Sequence, residues 1–448
     1  MKYDIVILGA GISGIGAAIL AKKKKYSVFV SDNGKITNEN KLILNTLQIP
    51  FEENTHSENI ILKANKIIKS PGIPNTSTII QKALKIGIPI VSEIEFAYKF
   101  VDKPIIGITG SNGKTTTTSL IWHILKSAGV NVAAVGNIGQ SFAKTVADAP
   151  ADVYVMEISS FQLENIFTFR PDIAILLNIT PDHLDRYNYN LEKYAKTKLK
   201  ITQNQTDKDI FIYNLDDELI NVLIKESSIA AQKKSFAIKN RADAYFDEQS
   251  NCLVYQDFCF KATNLKLRGK HNIYNALAAI IATKTFGISN NYIYEALSDF
   301  QPVEHRLQQV DIINKITFVN DSKATNVDSV FYALDAFSEN IILIMGGIDK
   351  GNDYNKIKPI VQKKVRAIVA LGKDNTPIQQ AFRGIVPVYS TNNMSDAVKK
   401  AYGLATAGDI VLLSPACASF DLFKNYMDRG WHFIQEVKKL KTQINGAK

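Results

Sequence analysis

"GITGSNGKTTTT" spans Gly107–Thr118, and its reading decides the fold. A short β-branched run, "PIIGIT", leads into it, and a helix-compatible run follows. Gly110, Ser111, Asn112, Gly113, Lys114, Thr115 and Thr116 therefore form a strand-to-helix turn. Glycines let backbone N–H groups approach phosphate oxygens closely. The helix N-terminus adds its dipole, Lys114 a point charge, and Thr115 a hydroxyl suited to Mg²⁺. The strict phosphate-loop spacing is missing, because Ile108 stands at the first glycine position. A glycine-rich turn with a chance lysine would share these letters, but the strand before and the helix after favour phosphate binding.

The neighbouring strand ends point the same way. Open parallel sheets bind ligands beyond the carboxyl ends of their strands. Asn137 follows "VNVAAVG", Glu157 follows "VYVM", and Asn178 is followed closely by Asp182 and His183. An unpaired carboxylate ending a buried strand is costly. A Mg²⁺ ion would offset that cost at Glu157, and Mg²⁺ with nucleotide takes one or two protein carboxylates.

The same βα alternation runs through the whole 448-residue chain. Breaks near "FVDKP" and at Gln301–Pro302 divide it into three sections, 1–102, 103–301 and 302–448. The expected class is α/β: a Rossmann-like first domain, a central P-loop-type domain with a parallel sheet, and a Rossmann-like third domain. Hydrophobic residues at 46% and charged residues at 21% describe a globular chain. The formal charge of +10 reads as lysines on solvated faces, as in "AKKKK", and no aromatic-basic interleaving argues for nucleic acid. No apolar run is long enough to span a bilayer. "MKYDIVILGAGISG" reads as a strand and a glycine turn rather than a secretory signal. Cys252, Cys259 and Cys417 are too few and scattered for a disulfide framework, so a cytoplasmic location is expected. A monomer is expected.

The first section carries its own glycine turn, with G-x-G-x-x-G at Gly9, Gly11 and Gly14 and Asp32 ending the next strand. Alone, this reads as a dinucleotide site. The same physics holds any pyrophosphate.

Seven stretches in order, "GITGSNGKTTTT", "MEISSFQLE", "NITPDHLDRY", "GKHNIYNALAA", "EHRL", "NDSKATN" and "LSPACASFD", resemble the Mur ligase family over nearly the whole chain. "NDSKATN" and "LSPACASFDLFKNY" look like its D-glutamate-adding branch. The resemblance implies ATP-dependent joining of D-glutamate to UDP-N-acetylmuramoyl-L-alanine through an acyl phosphate. It implies that Lys114 and Thr115 hold phosphates and metal. Glu157 and His183 would ligate Mg²⁺, and Asn137 would face the substrate. Asn272 and Asn275, three apart on one helix, would grip adenine. Arg306 and Asp321 would reach the nucleotide from the third domain. Lys323, Thr325, Lys350, Ser419 and Phe420 would line the D-glutamate site. Ile12, Ser13, Asp32, Ser70 and Gln162 would serve the UDP end. Of Lys193, Lys196, Lys198 and Lys200, the resemblance picks Lys198 as a carbamylated metal ligand. Competing readings are a nicotinamide oxidoreductase, a regulatory nucleotide-binding module without catalysis, and a sister ligase for another amino acid.

Overall fold

The computed structural model describes residues 2–267, 269–301, 303–338 and 340–446. Among them the strands form three sheets of five, nine and six. The first sheet holds β1 (Ile5–Leu8), β2 (Val28–Ser31), β3 (Phe51–Glu52), β4 (Lys66–Lys69) and β5 (Ile90–Ser92). They run in the order β3-β2-β1-β4-β5, and every pairing is parallel. β1 and β2 are buried along their whole length, as an apolar run between two helix layers requires.

The second sheet is built on β6 (Ile105–Thr109), β7 (Val132–Gly136), β8 (Val153–Glu157), β9 (Ile173–Leu176), β10 (Ile210–Asn214) and β11 (Gln232–Ala237). Beyond them come β12 (Ala244–Asp247), β13 (Cys252–Tyr255) and β14 (Phe258–Lys261). The spatial order is β14-β13-β12-β11-β10-β9-β6-β8-β7. The repeated βα alternation expected here stops at β12. β13 and β14 are antiparallel, and the turns joining them are too short for a crossover helix. This hairpin also brings Cys252 and Cys259 face to face, their sulfurs 2.6 Å apart, although both are free thiols.

The third sheet contains β15 (Gln308–Ile313), β16 (Ile316–Asn320), β17 (Ile341–Met345), β18 (Val365–Leu371), β19 (Val388–Thr391) and β20 (Ile410–Leu413), ordered β15-β16-β20-β17-β18-β19. Only β15 is antiparallel to its neighbour.

By compactness the chain groups into two units. One holds Met1–Asn264 and Tyr274–Ser298, the other Leu265–Ile273 and Asp299–Lys448. Two carboxylates make the first two sheets one body. Buried Glu93 accepts from Ser141 Oγ and Ala143 N, both at 2.7 Å, at the start of the helix Phe142–Asp148. Glu95, equally buried, accepts from the amides of Phe167, Thr168 and Phe169 at 2.8–3.0 Å. The second expected break, at Gln301–Pro302, touches Pro302, which lies outside the described residues. Among the described residues no helix is long and apolar enough to cross a membrane.

Candidate functional site

The quoted loop leaves β6 and enters the helix Lys114–Ser127 with Gly113 as its left-handed N-cap, φ 84°. A Cβ on Gly113 would lie 2.3 Å from Asn275 Oδ1, so the loop and that asparagine share one close approach. Asn178, past β9, pins the loop from the side. Its Oδ1 accepts from Asn112 N at 2.8 Å, its Nδ2 donates to Asn112 O, and its carbonyl accepts from Ser111 N. Ser111 Oγ donates to Thr180 O at 2.8 Å. Thr116 is buried in the first turn of the helix.

Two lysines converge on this loop. Lys114 Nζ donates to Gly110 O at 2.7 Å and Ser111 O at 2.8 Å. Lys198 Nζ donates to the same Gly110 carbonyl at 2.8 Å and lies 4.5 Å from the Tyr194 ring centre. Among the four lysines of its stretch, Lys193 and Lys196 are exposed, Lys200 is half-buried, and Lys198 is 1% exposed. Burial, and then the Lys114 ammonium, push Lys198 well below the ordinary lysine range, while Asp182 and Glu157 pull the other way.

Glu157, 1% exposed at the end of β8, accepts from Thr115 Oγ1 and Asn137 Nδ2, each at 2.8 Å. Of the strand-end residues, Asn137 and Glu157 are hydrogen-bonded, and Asn178 joins the loop at Asn112. His183 takes a left-handed backbone, φ 51°, with its Nε2 3.7 Å from Asp182 Oδ1 and its ring edge-on to Phe161. Among the described residues no group of three His, Cys, Asp or Glu side chains is placed to hold a metal. A Mg²⁺ ion here would need Thr115, a derivatised Lys198, or ligands from outside the protein beside Glu157. The buried carboxylate with a hydroxyl at 2.8 Å fits a hard cation that keeps several waters.

In the first sheet's glycine turn, a Cβ on Gly14 would fall 1.8 Å from Gly9 O. Asp32 is committed to this turn. Its Oδ2 accepts from Ala10 N at 2.6 Å and its Oδ1 from Gly34 N at 2.8 Å. Both carboxylate oxygens carry backbone partners, which weighs against the ribose-binding acid of a dinucleotide site. Ile12 is exposed and Ser13 half-buried at the helix start, and Ser70 Oγ donates to Gly9 O at 3.3 Å. Gln162 is buried in a capping box, its Oε1 accepting from Ser159 N and Oγ.

Asn272 and Asn275 both lie on the helix Lys270–Thr285. Asn275 Oδ1 accepts from Thr117 Oγ1 at 3.2 Å. Asn272 lines a cavity of about 200 Å³ with Arg306, Leu267, Val319 and Phe337. Arg306 Nε is buried there without a protein partner. Asp321, fully buried, accepts from Ser414 Oγ at 3.0 Å and is pushed up to about 7 by burial, against the pull of Arg306.

In the second unit the loop after β17 pairs with the segment after β20 through Ile348 and Ala418. This brings the Lys350 loop beside Ser419 and Phe420, the first two half-buried and buried, the last 69% exposed. Lys323 sits 5.2 Å from the Tyr426 ring centre, and Thr325 is half-buried. The residue missed in the sequence is Arg429. Its guanidinium, 1% exposed, donates to Ser322 Oγ at 3.0 Å, Ser322 O at 2.8 Å, Cys417 O at 3.1 Å and Gly346 O at 3.4 Å. It thereby gathers the loops after β16, β17 and β20. A lone arginine in "YMDRGW" carries no sequence signal for this.

Residues 4–79 match the MurD N-terminal domain, 108–283 the Mur ligase middle domain, and 305–417 the Mur ligase glutamate ligase domain. The chain is 49% identical to the UDP-N-acetylmuramoylalanine--D-glutamate ligase of Christiangramia forsetii, over 98% of this chain and 100% of that one. It is also 49% identical to the enzyme of the same name from Bacteroides fragilis, over 97% and 99%. Among solved structures, it shares its fold with the UDP-N-acetylmuramate-alanine ligase MurC of Thermotoga maritima: TM-score 0.65, 21% identity, 98% and 100% covered. It is likewise similar to the MurF ligase of Thermotoga maritima in complex with ADP: TM-score 0.62, 15% identity, 92% and 95% covered. The chain belongs to the Mur ligase family.

Proposed function

We propose that this Mur ligase joins D-glutamate to UDP-N-acetylmuramoyl-L-alanine with ATP, in peptidoglycan precursor synthesis. The observation that carries the reading is full-length identity of 49% to relatives named for that reaction. The phosphate loop, buried Glu157 and the paired Lys350 and Ser419 loops support it.

ATP transfers its γ-phosphoryl group to the alanyl carboxylate, which gains a leaving group. The amine of D-glutamate attacks the acyl carbon, loses a proton, and phosphate departs as the amide forms. Two anions must meet in the first step, so charge neutralisation and positioning dominate. The loop amides and Lys114 hold the transferring phosphates. Thr115, Glu157 and His183, with Asn137 orienting Glu157, would hold Mg²⁺. When bound, that ion polarises phosphoryl oxygens and offsets their charge. Lys198, whose charged form burial disfavours, adds as the neutral amine through Nζ to the carbon of CO₂ and releases a proton. The resulting carbamate anion is a hard oxygen ligand. Asn272 and Arg306 take the adenosine end in their cavity, with Asp321 in support, and Asn275 braces the phosphate loop through Thr117. Ile12, Ser13, Asp32, Ser70 and Gln162 frame the UDP end, Asp32 and Gln162 by holding backbone. Lys323, Thr325, Lys350, Ser419 and Phe420 take D-glutamate, whose two carboxylates suit cationic and hydroxyl donors. The segments 1–102, 103–301 and 302–448 divide these tasks.

The test is phosphate release from ATP with UDP-N-acetylmuramoyl-L-alanine and a panel of amino acids. Release only with D-glutamate supports the reading. Release with a diamino acid or L-alanine instead would assign a sister activity, and release with none would favour a binding module.

A further inference from the structure

The molecule carries a largely buried ionic cluster that the mechanism above does not use. Arg186 forms a two-pronged pair with Glu164, Nε to Oε1 at 2.8 Å and Nη2 to Oε2 at 2.7 Å. The same guanidinium donates to Pro71 O at 2.8 Å and Ile73 O at 3.2 Å, and it stacks on the Phe161 ring at 4.2 Å. Lys69, 2% exposed at the end of β4, donates to Ile73 O at 2.6 Å and lies 3.8 Å from Glu164. Tyr187 Oη donates to Glu164 Oε1 at 3.2 Å.

The three chain segments tied here are informative. Residues 70–73 lie directly on the glycine turn of the first sheet, since a Cβ on Gly9 would meet Ser70 Oγ at 2.5 Å. Glu164 ends the short helix that follows Glu157. Arg186 lies three residues past His183. Exposed loops of two different sheets gain little by sharing a buried ionic cluster, because desolvation offsets most of the Coulomb gain. A planar guanidinium with carbonyls on one side and a carboxylate on the other does fix geometry.

We propose that Arg186, with Glu164 and Lys69, is a positioning cluster that sets the span between the pyrophosphate turn of the first sheet and the reacting end of the second. It works as a ruler for a long, two-ended anionic substrate: a nucleoside diphosphate at one end and a carboxylate at the other. The inference rests on the functional reading above. A ruler matters only to a ligand that touches both ends. Arg186→Lys keeps the charge and removes the fork. It raises KM for UDP-N-acetylmuramoyl-L-alanine roughly tenfold, the scale of a lost charge-assisted hydrogen bond, and it leaves the Kd of UDP alone within twofold. KM for ATP and for D-glutamate also stay within twofold. The backbone amides of Ser70, Gly72 and Ile73 exchange faster in the variant.

Equal weakening of UDP and the full substrate would overturn the proposal, as would a parallel rise in all three KM values or no change in any. Glu164→Gln must give the same split, and it replaces Arg186→Lys if that variant does not fold. Wild-type protein that fails to bind UDP-N-acetylmuramoyl-L-alanine would sink the functional reading. The amide exchange at 70–73, measured without ligand, would still show whether the cluster holds that loop.

Discussion

Lys198 and Lys114 share one carbonyl acceptor, yet the proposed mechanism gives them different work. Lys114 caps the carbonyls of the proposed phosphate loop, and Lys114→Ala is expected to cut ligation by roughly 10²–10³-fold, the cost of one charge-stabilising donor, with an unchanged circular dichroism spectrum. Near-normal turnover would show that the loop amides suffice. Lys198→Ala is expected to be nearly inactive and partly rescued by small carboxylic acids that replace the carbamate. Lys196→Ala, whose ammonium pairs with Glu192 on an exposed face, should keep full activity. Full activity of Lys198→Ala in bicarbonate-free buffer would remove the carbamate from the mechanism. Asp321 makes a pH prediction. Its folded value of about 7 lies above the ordinary 3.8, so the folded state holds the proton more tightly. Stability of the ligand-free protein should therefore fall as pH rises from about 4 to about 7, by roughly 2–4 kcal/mol at most. Asp321→Asn should flatten that slope in chemical unfolding across this range. An unchanged slope would mean that Asp321 is not the group responsible. The lysine choice shows what sequence can carry. Helical spacing could not separate Lys198 from its three neighbours, because all four follow one basic pattern. Burial separates them, and burial is a tertiary fact.

At the scale of elements, the glycine turns were the most legible features. Gly14 and Gly113 each sit where a side chain would strike a named oxygen, and strand–turn–helix order announces such positions. Gly14→Ala should displace the first helix from β1 and cost several-fold or more in affinity for the UDP end, read by UDP binding. Unchanged binding would show that the turn can relax. The strand-end residues Asn137, Glu157 and Asn178 were legible for a related reason: a polar group that closes an apolar run must face a crevice. Elements held by long-range side chains were not legible. The antiparallel β13–β14 hairpin hides in a polar stretch whose apolar residues alternate only briefly. The loops after β16, β17 and β20 are drawn together by Arg429, which comes from a helix far along the chain.

Over the whole molecule, three βα sections were readable from the alternation, whereas their grouping was not. Sequence breaks mark where sheets end and say nothing about which sheets fold together. Glu93 and Glu95 decide that for the first two. Both are buried on the helix Glu93–Tyr98; Glu93 Oε1 accepts from Ala143 N and Ser141 Oγ, and Glu95 accepts from the amides of Phe167, Thr168 and Phe169 in the second sheet's segments. Burial raises the Glu93 carboxyl above its ordinary value, with the Ser141 and Ala143 hydrogen bonds pulling it down. Each bond to a buried amide resists opening, because a freed amide is left unpaired at a cost of about 1–3 kcal/mol. Sheets welded this way should open as one cooperative unit. In native-state hydrogen exchange with rising denaturant, amides of Ile5–Leu8 and Ile105–Thr109 should therefore converge on one opening free energy. The double variant Glu93→Ala with Glu95→Ala should split them, with β1 opening first while β6 keeps its protection. β1 is the expected loser because its sheet has only five short strands, two of them of two and three residues. Separate opening of β1 in the wild type, or joint opening in the double variant, would place the joint between the two sheets elsewhere than on these carboxylates.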